Sequence, residues 1–296
     1  MERCVWLNPG EKAAVGGFDR VFIGSETCGC FLSSPGFPDE IKEYVLSGHE
    51  VGIISPFLTP EREISFIALL KSLSGATGRA MEVVVNDVGA FRLVQNNGHT
   101  PIIGRLLMRQ NTDPAIPSFF RRQPDRDVYD YTDYVRLMHA NPPQALADHF
   151  AGSPVFSKEA AALFLAGREE LTVMMDIPPL GLPAEVPERF RVMLNMDDVL
   201  VSVLPCRSCD GCPEEETQLG RMRAGVPIYR RKSLCYYKAP VALDGRCTPG
   251  GCFTLDDSCT PGGSSMLYGG YSINVPSYVS RLIARPTPAW RGVAQV

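Results

Sequence analysis

The sequence predicts an α/β fold: a parallel (β/α) barrel-like domain with a C-terminal cysteine-rich segment. Over about the first 200 residues, short apolar runs alternate with helix-like stretches. These runs are apolar throughout, which is typical of parallel strands whose two faces are both covered by helices. A chain of 296 residues also has the length of a single barrel, which typically uses roughly 250 residues. We therefore predict a barrel rather than an open sheet.

The predicted elements follow one another in strand–helix order. The first strand is the apolar run 20–24, which a glycine closes. The best-marked helix begins after Thr59, because Thr is a favoured N-cap, Pro60 suits the first helical position and Glu61 suits the first turn. Further strands are predicted at 51–54, 82–86, 101–104, 154–156, 171–175, 190–194 and 199–204, and further helices at 38–46, 90–94, 145–150, 159–166 and 275–283.

The chain divides into three regions by composition. Residues 1–204 form the predicted barrel-like core, 205–265 a cysteine-rich segment, and 266–296 a C-terminal return that completes the core. The middle region is rich in Gly and Pro and has little periodicity, so it buries too little apolar area to order itself. Metal ligation is the natural means of ordering such a segment. Cys247 and Cys259 are each followed by Thr-Pro-Gly-Gly, which indicates either two flexible turns or two metal knuckles.

Composition and charge exclude several classes of protein. The chain is 45% hydrophobic and 21% charged, with a net charge of −4, so nothing favours nucleic acid as a partner. No apolar run reaches the roughly 18 residues of a membrane span, and the first ten residues lack the apolar core of a secretory signal. We expect a cytoplasmic, reducing location. Ten cysteines there indicate metal or redox chemistry rather than disulfides.

Three cysteines form the most informative motif. Cys206, Cys209 and Cys212 have the Cys-x-x-Cys-x-x-Cys spacing, with Pro213 after them. This is how the ferredoxin run begins, although Glu216 stands where its fourth cysteine would be. A single loop of this kind wraps three thiolates round a [4Fe–4S] cluster. Zinc is the alternative, but zinc sites usually pair two Cys-x-x-Cys knuckles, and no second one is present.

Two cysteines are candidates for the fourth ligand. Cys28 follows the first predicted strand, and Cys206 follows the strand predicted at 199–204. The carboxyl ends of parallel barrel strands share one face, so Cys28 is able to meet the 206 loop. Cys235 is the other candidate because it is nearest in sequence. Alternatively, a second metal site would use the four cysteines Cys235, Cys247, Cys252 and Cys259.

Other polar residues at strand ends are candidates for catalysis. Asp87 follows a predicted strand, where an acid binds substrate or steers a proton, or alternatively caps the next helix. Arg105 and Arg109 suit bidentate binding of a carboxylated substrate, or alternatively surface ion pairs. No Gly-x-Ser-x-Gly elbow or P-loop lysine is present, which argues against serine hydrolase and P-loop nucleotide chemistry.

Several short motifs, in this order, resemble the peptidase family U32-like proteins, and most closely the UbiV-type anaerobic ubiquinone-biosynthesis iron–sulfur proteins. The resemblance covers roughly residues 15 to 215. It rests on the segments Val21-Phe22-Ile23-Gly24-Ser25-Glu26-Thr27-Cys28, Glu82-Val83-Val84-Val85-Asn86-Asp87-Val88-Gly89-Ala90, Gly104-Arg105-Leu106-Leu107, Ser153-Pro154-Val155-Phe156-Ser157-Lys158-Glu159, and 190–206.

The resemblance implies a barrel-like α/β fold, a [4Fe–4S] cluster and a cluster ligand at Cys28. It implies oxygen-independent redox or hydroxylation chemistry on a small or prenylated molecule, as an oxidoreductase or hydroxylase component, with a protein partner in a hetero-oligomer. The family spaces its later cysteines more widely than Cys206, Cys209 and Cys212, and the segment after Cys235 has no counterpart there. The alternative is a zinc- or cluster-bearing module for binding or electron transfer, without catalysis, so whether the chain is an enzyme stays open.

Overall fold

Eight parallel strands close into a barrel, as the sequence predicts. The structure is a computed structural model that describes residues 1–108, 153–177, 185–203, 216–221, 227–231, 234–238, 264–268 and 271–286. The barrel strands are β1 (Glu2–Leu7), β2 (Arg20–Gly24), β3 (Glu50–Ile54), β4 (Glu82–Val85), β5 (Thr100–Ile103), β6 (Leu171–Met175), β7 (Phe190–Asn195) and β14 (Val279–Ala284). Their order round the barrel is β1-β14-β7-β6-β5-β4-β3-β2.

Helices follow the strands on the outside of the barrel. They are α1 (Phe37–Leu46), α2 (Pro60–Thr77), α3 (Val88–Asn96), α4 (Arg105–Met108) and α5 (Lys158–Phe164), with 3₁₀ turns at Cys30–Ser33 and Pro154–Phe156. Local chemistry sets their ends. The Ser157 side chain accepts a hydrogen bond from the Ala160 N–H at the start of α5, and Gly78, in the left-handed conformation, ends α2. Among the described helices, none is long and apolar enough to cross a membrane.

The remaining strands form two small antiparallel sheets. The larger consists of β8 (Asp198–Val203), β9 (Thr217–Arg221), β10 (Pro227–Arg231) and β11 (Leu234–Lys238), in the order β8-β11-β10-β9. The smaller pairs β12 (Ser264–Tyr268) with β13 (Tyr271–Val275). Both sheets lie between β7 and β14 in the chain.

The barrel is filled by three layers of side chains. The middle layer takes side chains from each of the eight barrel strands and none from a helix, which identifies it as the barrel interior. Its members are Cys4, Trp6, Phe22, Ile54, Val84, Ile102, Met174, Met193 and Ile283. The alternate strand residues pack outwards against the helices in a second, larger core. At the amino ends of the strands, Glu2 and Glu82 each accept hydrogen bonds or ion pairs from both Arg20 and Arg281. The third layer, at the carboxyl ends, is polar and is described below.

The structure corrects four expectations. The helix predicted at 275–283 is wrong, because β14 occupies Val279–Ala284 and completes the barrel. β1 precedes the strand that was predicted to be first. The run 154–156 is a 3₁₀ turn, not a strand. The strand predicted at 199–204 is β8, which pairs antiparallel with β11 outside the barrel. Within residues 1–204, β7 is therefore the last barrel strand. The described part of the 205–265 region contains the strands β9, β10 and β11. The helix predicted at 145–150 lies outside the described residues.

Candidate functional site

A buried arginine lies at the centre of the polar layer at the carboxyl ends of the barrel strands. Arg105 begins α4, directly after β5, and its side chain is only 1% exposed. Gly104 precedes it, and a Cβ there would lie 2.2 Å from the Asn86 Oδ1 atom. The glycine thus allows the chain to turn tightly inwards and brings the guanidinium into the barrel mouth.

Three carboxylates surround the Arg105 guanidinium. Nε donates to both Glu26 carboxylate oxygens at 2.8 and 3.0 Å, and Nη2 donates to Glu26 Oε2 at 2.7 Å. Nη1 donates to Asp176 Oδ1 at 2.9 Å and to Asp198 Oδ1. These acids are all buried and come from the ends of three different strands. The arrangement therefore ties the β2 loop, β6 and the start of β8 to one cation.

Asn195 and the β8 backbone extend this network. The Asn195 side-chain amide donates to Asp176 Oδ1 at 2.9 Å and to the Asp198 carbonyl at 2.6 Å. The other Asp176 oxygen accepts from the Leu200 N–H at 2.9 Å. From outside, Arg231 of β10 donates to Asp198 Oδ2 at 3.3 Å. The network thus fixes the antiparallel sheet to the barrel mouth.

The acids in the mouth differ in their affinity for protons. Burial raises the pKa of Glu26, although Arg105 opposes the shift. Burial would also raise the pKa of Asp198, but the charges of Arg105 and Arg231 outweigh it and hold that pKa below its ordinary value. Burial, together with the charge of Asp198, raises the pKa of Asp197 to about 7. Asp197 is therefore the acid in this region whose protonation changes near neutral pH.

A cavity of about 350 Å³ opens beside this network. Residues at the carboxyl ends of β1, β2 and β14 line it, together with the end of β10 and the start of β11: Trp6, Asn8, Pro9, Gly10, Glu11, Ser25, Thr27, Arg231, Leu234 and Arg285. Its volume is in the range of pockets that bind small molecules. Trp6 is part of the wall and donates its Nε1–H to the Gly24 carbonyl at 3.0 Å. Substrate-sized space and the charged network thus share one end of the barrel.

The predicted catalytic residues both lie at this end, in supporting positions. Asp87 caps α3 by accepting from the Ala90 N–H at 2.7 Å, and its other oxygen accepts from the Leu58 N–H at 3.1 Å. The structure thus gives it the capping role that was the alternative. Arg105 is buried rather than in a surface ion pair, and its three side-chain nitrogens are all bonded to protein acids. Arg109 lies outside the described residues.

The predicted metal ligands are only partly described. Cys28 is a half-buried free thiol in the loop after β2, and its N–H donates to Ser25 Oγ at 3.1 Å. Cys235 is a second half-buried free thiol, on β11 opposite Ser202 of β8. Cys30 is disulfide-bonded, which is contrary to the expectation that the cysteines do not form disulfides. Within the ranges that the structure describes, no three Cys, His, Asp or Glu side chains gather as a metal site. Outside those ranges lie Cys206, Cys209, Cys212, Cys247, Cys252 and Cys259.

The two described thiols fit part of a thiolate donor set. The Cys28 side chain lies at the barrel face where active sites lie, and it is neither oxidised nor fully buried. Thr27, its neighbour, and Leu234, the neighbour of Cys235, line the same cavity. Both candidates for the fourth ligand therefore come from segments at the cavity wall.

Sequence reasoning missed most of the network round Arg105. Glu26, Asp176 and Asn195 each lie at or just after the carboxyl end of an apolar strand, the same signal that identified Asp87. Listing every polar residue in that position would have found them. Arg285 also follows a strand directly, but its segment was predicted to be helical, so the signal was hidden.

Comparisons with known proteins do not assign the chain to a family. No protein-family model matches it, and no curated protein is significantly similar to it in sequence. What the chain does must therefore be argued from its own residues.

Proposed function

We propose that this chain is an iron–sulfur protein of the U32-like type, acting in oxygen-independent redox or hydroxylation chemistry on a small or prenylated molecule. The single observation that carries the proposal is the Cys206, Cys209 and Cys212 run, whose spacing suits one loop round a [4Fe–4S] cluster. Cys28 is the proposed fourth ligand. With Cys28 as a fourth thiolate, a bound cluster would supply electron transfer. With Cys206, Cys209 and Cys212 alone, it would leave one iron position open for an oxygen-bearing donor.

The path of β8 supports a meeting of Cys28 with the cysteine run. β8 does not belong to the barrel sheet, so the original argument from shared strand ends does not apply. However, Val203 at the end of β8 pairs with Leu234, and Leu234 lines the same cavity as Thr27. Cys206 follows Val203 by three positions and Cys28 follows Thr27 directly. The described end of β8 therefore pairs with a residue of the cavity that the Cys28 loop also borders, which supports the proposed meeting.

Strand geometry favours Cys28 over Cys235 as the fourth cluster ligand on the cavity side. Successive side chains of a strand point to opposite faces. Leu234 faces the cavity, so its neighbour Cys235 is directed to the other face of β11. Cys235 would then belong to the second site, with Cys247, Cys252 and Cys259.

The network round Arg105 would hold this site in place rather than react. Because the three nitrogens of its guanidinium are bonded to Glu26, Asp176 and Asp198, Arg105 is a positioning residue for the β2 loop that carries Cys28. Glu26 stands two residues before Cys28, so its bidentate contact with Arg105 fixes the start of that loop. Asp197, with its pKa near neutrality, is the residue best suited to hold or release a proton in this region.

The second candidate function is a zinc- or cluster-bearing module for binding or electron transfer, without catalysis. The free thiol of Cys235 favours it, because a second four-thiolate site would leave no open metal position. Three-thiolate ligation of the first site would favour an enzyme, and four-thiolate ligation the module. A cytoplasmic location and a protein partner in a hetero-oligomer are also part of the proposal, and the sequence resemblance adds a role in ubiquinone biosynthesis.

The test is the metal content of the full chain purified without oxygen. We expect a brown protein with about four irons per cluster and matching sulfide. Cys28→Ser should lose iron, whereas the barrel-interior variant Cys4→Ser should keep it. A colourless protein with stoichiometric zinc would refute the iron–sulfur proposal. Full iron in Cys28→Ser with loss in Cys235→Ser would instead exchange the two assignments.

A further inference from the structure

A buried arginine in the mouth of the barrel has donor atoms without a partner among the residues that the structure describes. Arg285 follows β14, and its guanidinium lies over the Trp6 ring with 3.9 Å between Cζ and the ring centroid. Its Nε and Nη1 atoms are buried and have no hydrogen-bond partner in the described part of the chain, and the residue lines the 350 Å³ cavity. Buried donors without partners are costly, by about 1–3 kcal/mol each and more for charged groups. Such a group is expected to have a partner that is supplied from elsewhere.

We propose that this cavity binds the oxyanion of a small molecule, a carboxylate or a phosphate, with Arg285 as its principal contact. Arginine donates hydrogen bonds from a planar fork that matches both groups. The Trp6 ring covers one side of the guanidinium, with 3.9 Å between Cζ and the ring centroid. The remaining lining offers hydroxyl groups from Ser25 and Thr27, which suit the other polar atoms of a ligand.

The charges round Arg285 point to an anion rather than a cation. A second arginine, Arg231, lines the same cavity. Burial and the charge of Arg231 lower the pKa of Arg285 to about 10, in spite of the opposing charges of Asp198 and Asp197. The neighbouring acids therefore do not compensate for the loss of water round this guanidinium.

Those acids are already bound to other donors. Asp198 accepts from Arg105 and Arg231, and Asp197 accepts from the backbone N–H of Arg285, not from its side chain. Glu11, the acid in the cavity wall, accepts from the N–H and the side-chain amide of Asn8, each at 2.8 Å. An incoming oxyanion would thus meet Arg285 without displacing an internal ion pair.

This site stands independently of the proposed iron–sulfur function. None of the described residues that line the cavity is a cysteine. The binding test below and the metal analysis therefore test two separate proposals, and one can fail while the other holds.

The position of Trp6 makes the binding measurable. The chain has two tryptophans, Trp6 and Trp290, so a Trp290→Phe parent reports from Trp6 alone. Inorganic phosphate and acetate are titrated separately into the full chain, with chloride at matched ionic strength as the control for screening. We expect a saturable change in Trp6 fluorescence and a higher melting temperature with at least one of the two anions. The anion that acts identifies which oxyanion the site takes.

Matched variants assign the effect to Arg285. Arg285→Gln should weaken binding by about tenfold or more, because a hydrogen bond to a charged group is lost. Arg230→Gln removes an exposed arginine that does not line the cavity and should bind as the parent does. Equal affinity in both variants, or a response to phosphate and acetate no larger than the response to chloride, would overturn the proposal.

A chemical test decides the matter if Arg285→Gln does not fold. Phenylglyoxal modifies accessible arginines, and peptide mass spectrometry then reports each position. In the parent protein the effective anion should slow modification of Arg285 and leave Arg230 unchanged. Equal protection of the two residues, or protection of neither, would refute an oxyanion site at Arg285.

Discussion

Removing the charge of Arg105 tests whether the polar network holds the barrel mouth together. Arg105→Met keeps most of the buried side-chain volume but takes away the cation. Glu26, Asp176 and Asp198 would then face one another in a buried space. This substitution leaves buried acids without their cation. The free-energy cost of such an unpaired buried charge is larger than the net stabilisation that the intact ion pair provides.

The expected loss of stability follows from these contacts. Breaking a buried pair by removing one partner costs about 3–5 kcal/mol, and three acids share this partner. The cost is limited because the acids will take up protons when the cation is gone, which Glu26 is already inclined to do because burial raises its pKa. We therefore expect Arg105→Met to lower the free energy of unfolding by about 3–5 kcal/mol at pH 8.

The effect should depend on pH in a defined direction. In the wild type the pKa of Asp198 is held low, so its contribution to stability is present above its unfolded pKa and is lost as the pH falls through the folded value. In the variant the acids have raised pKa values, so the folded state binds protons and is penalised as the pH rises. The difference between wild type and variant should thus be larger at pH 8 than at pH 5.

Urea unfolding followed by circular dichroism, with both proteins in the same metal state, measures this difference. The matched control is Arg191→Met, which breaks the exposed pair with Glu170 and should cost less than about 1 kcal/mol. If Arg105→Met cost no more than this control, or if its cost did not change between pH 5 and pH 8, the buried network would not be stabilising the mouth as described.

Two further predictions concern the same end of the barrel. Gly24→Ala should lower the melting temperature strongly, because a Cβ at this φ of +146° would lie 2.1 Å from the Ile54 carbonyl oxygen. The control is Gly75→Ala inside α2, where a Cβ has open space and should stabilise the protein by about 0.5–1 kcal/mol. Equal effects of the two substitutions would contradict the close approach at Gly24. The free energy of unfolding of Asp197→Asn, relative to that of the wild type, should rise between pH 5 and pH 8. The pKa of Asp197 is raised to about 7, so the wild type loses stability as the pH rises through that value, whereas Asn does not titrate. The full pKa shift would correspond to about 4 kcal/mol, but the side chain is partly exposed, so we expect a relative gain of about 1–3 kcal/mol from urea unfolding at the two pH values; a relative loss for the variant would refute the assignment.

The sequence shows most of the barrel but not the two strands that close it. β2 to β5 are short apolar runs behind one polar first residue, so their type and order could be read directly. β1 begins with two charged residues, Glu2 and Arg3, and β14 carries Arg281 in its middle, so neither is a simple apolar run. The neutralisation of Arg281 depends on a partner across the barrel, Glu82 at 2.7 Å, which no local pattern reveals.

The candidate site was predictable by residue but not by pairing. Arg105 was identified at the end of a strand, yet its partners lie 79, 71 and 93 positions away. The sequence can place Glu26 and Asp176 at the carboxyl ends of strands, but not Asp198, which precedes the strand predicted at 199–204. It also does not show which acids share a cation. For that reason a residue that suggested substrate binding proved to be surrounded by the protein's own acids.

The pairing of β1 with β14 has a consequence for how this protein is made. The two strands are joined by contacts between residues up to 279 positions apart, so loop closure across most of the chain precedes completion of the barrel. Until β14 has left the ribosome, β1 and β7 present two unpaired edges, which are sites for wrong pairing and aggregation. The segment between β7 and β14, which carries most of the cysteines, is then synthesised while the barrel is still open. Its assembly and barrel closure thus belong to the same late step of folding.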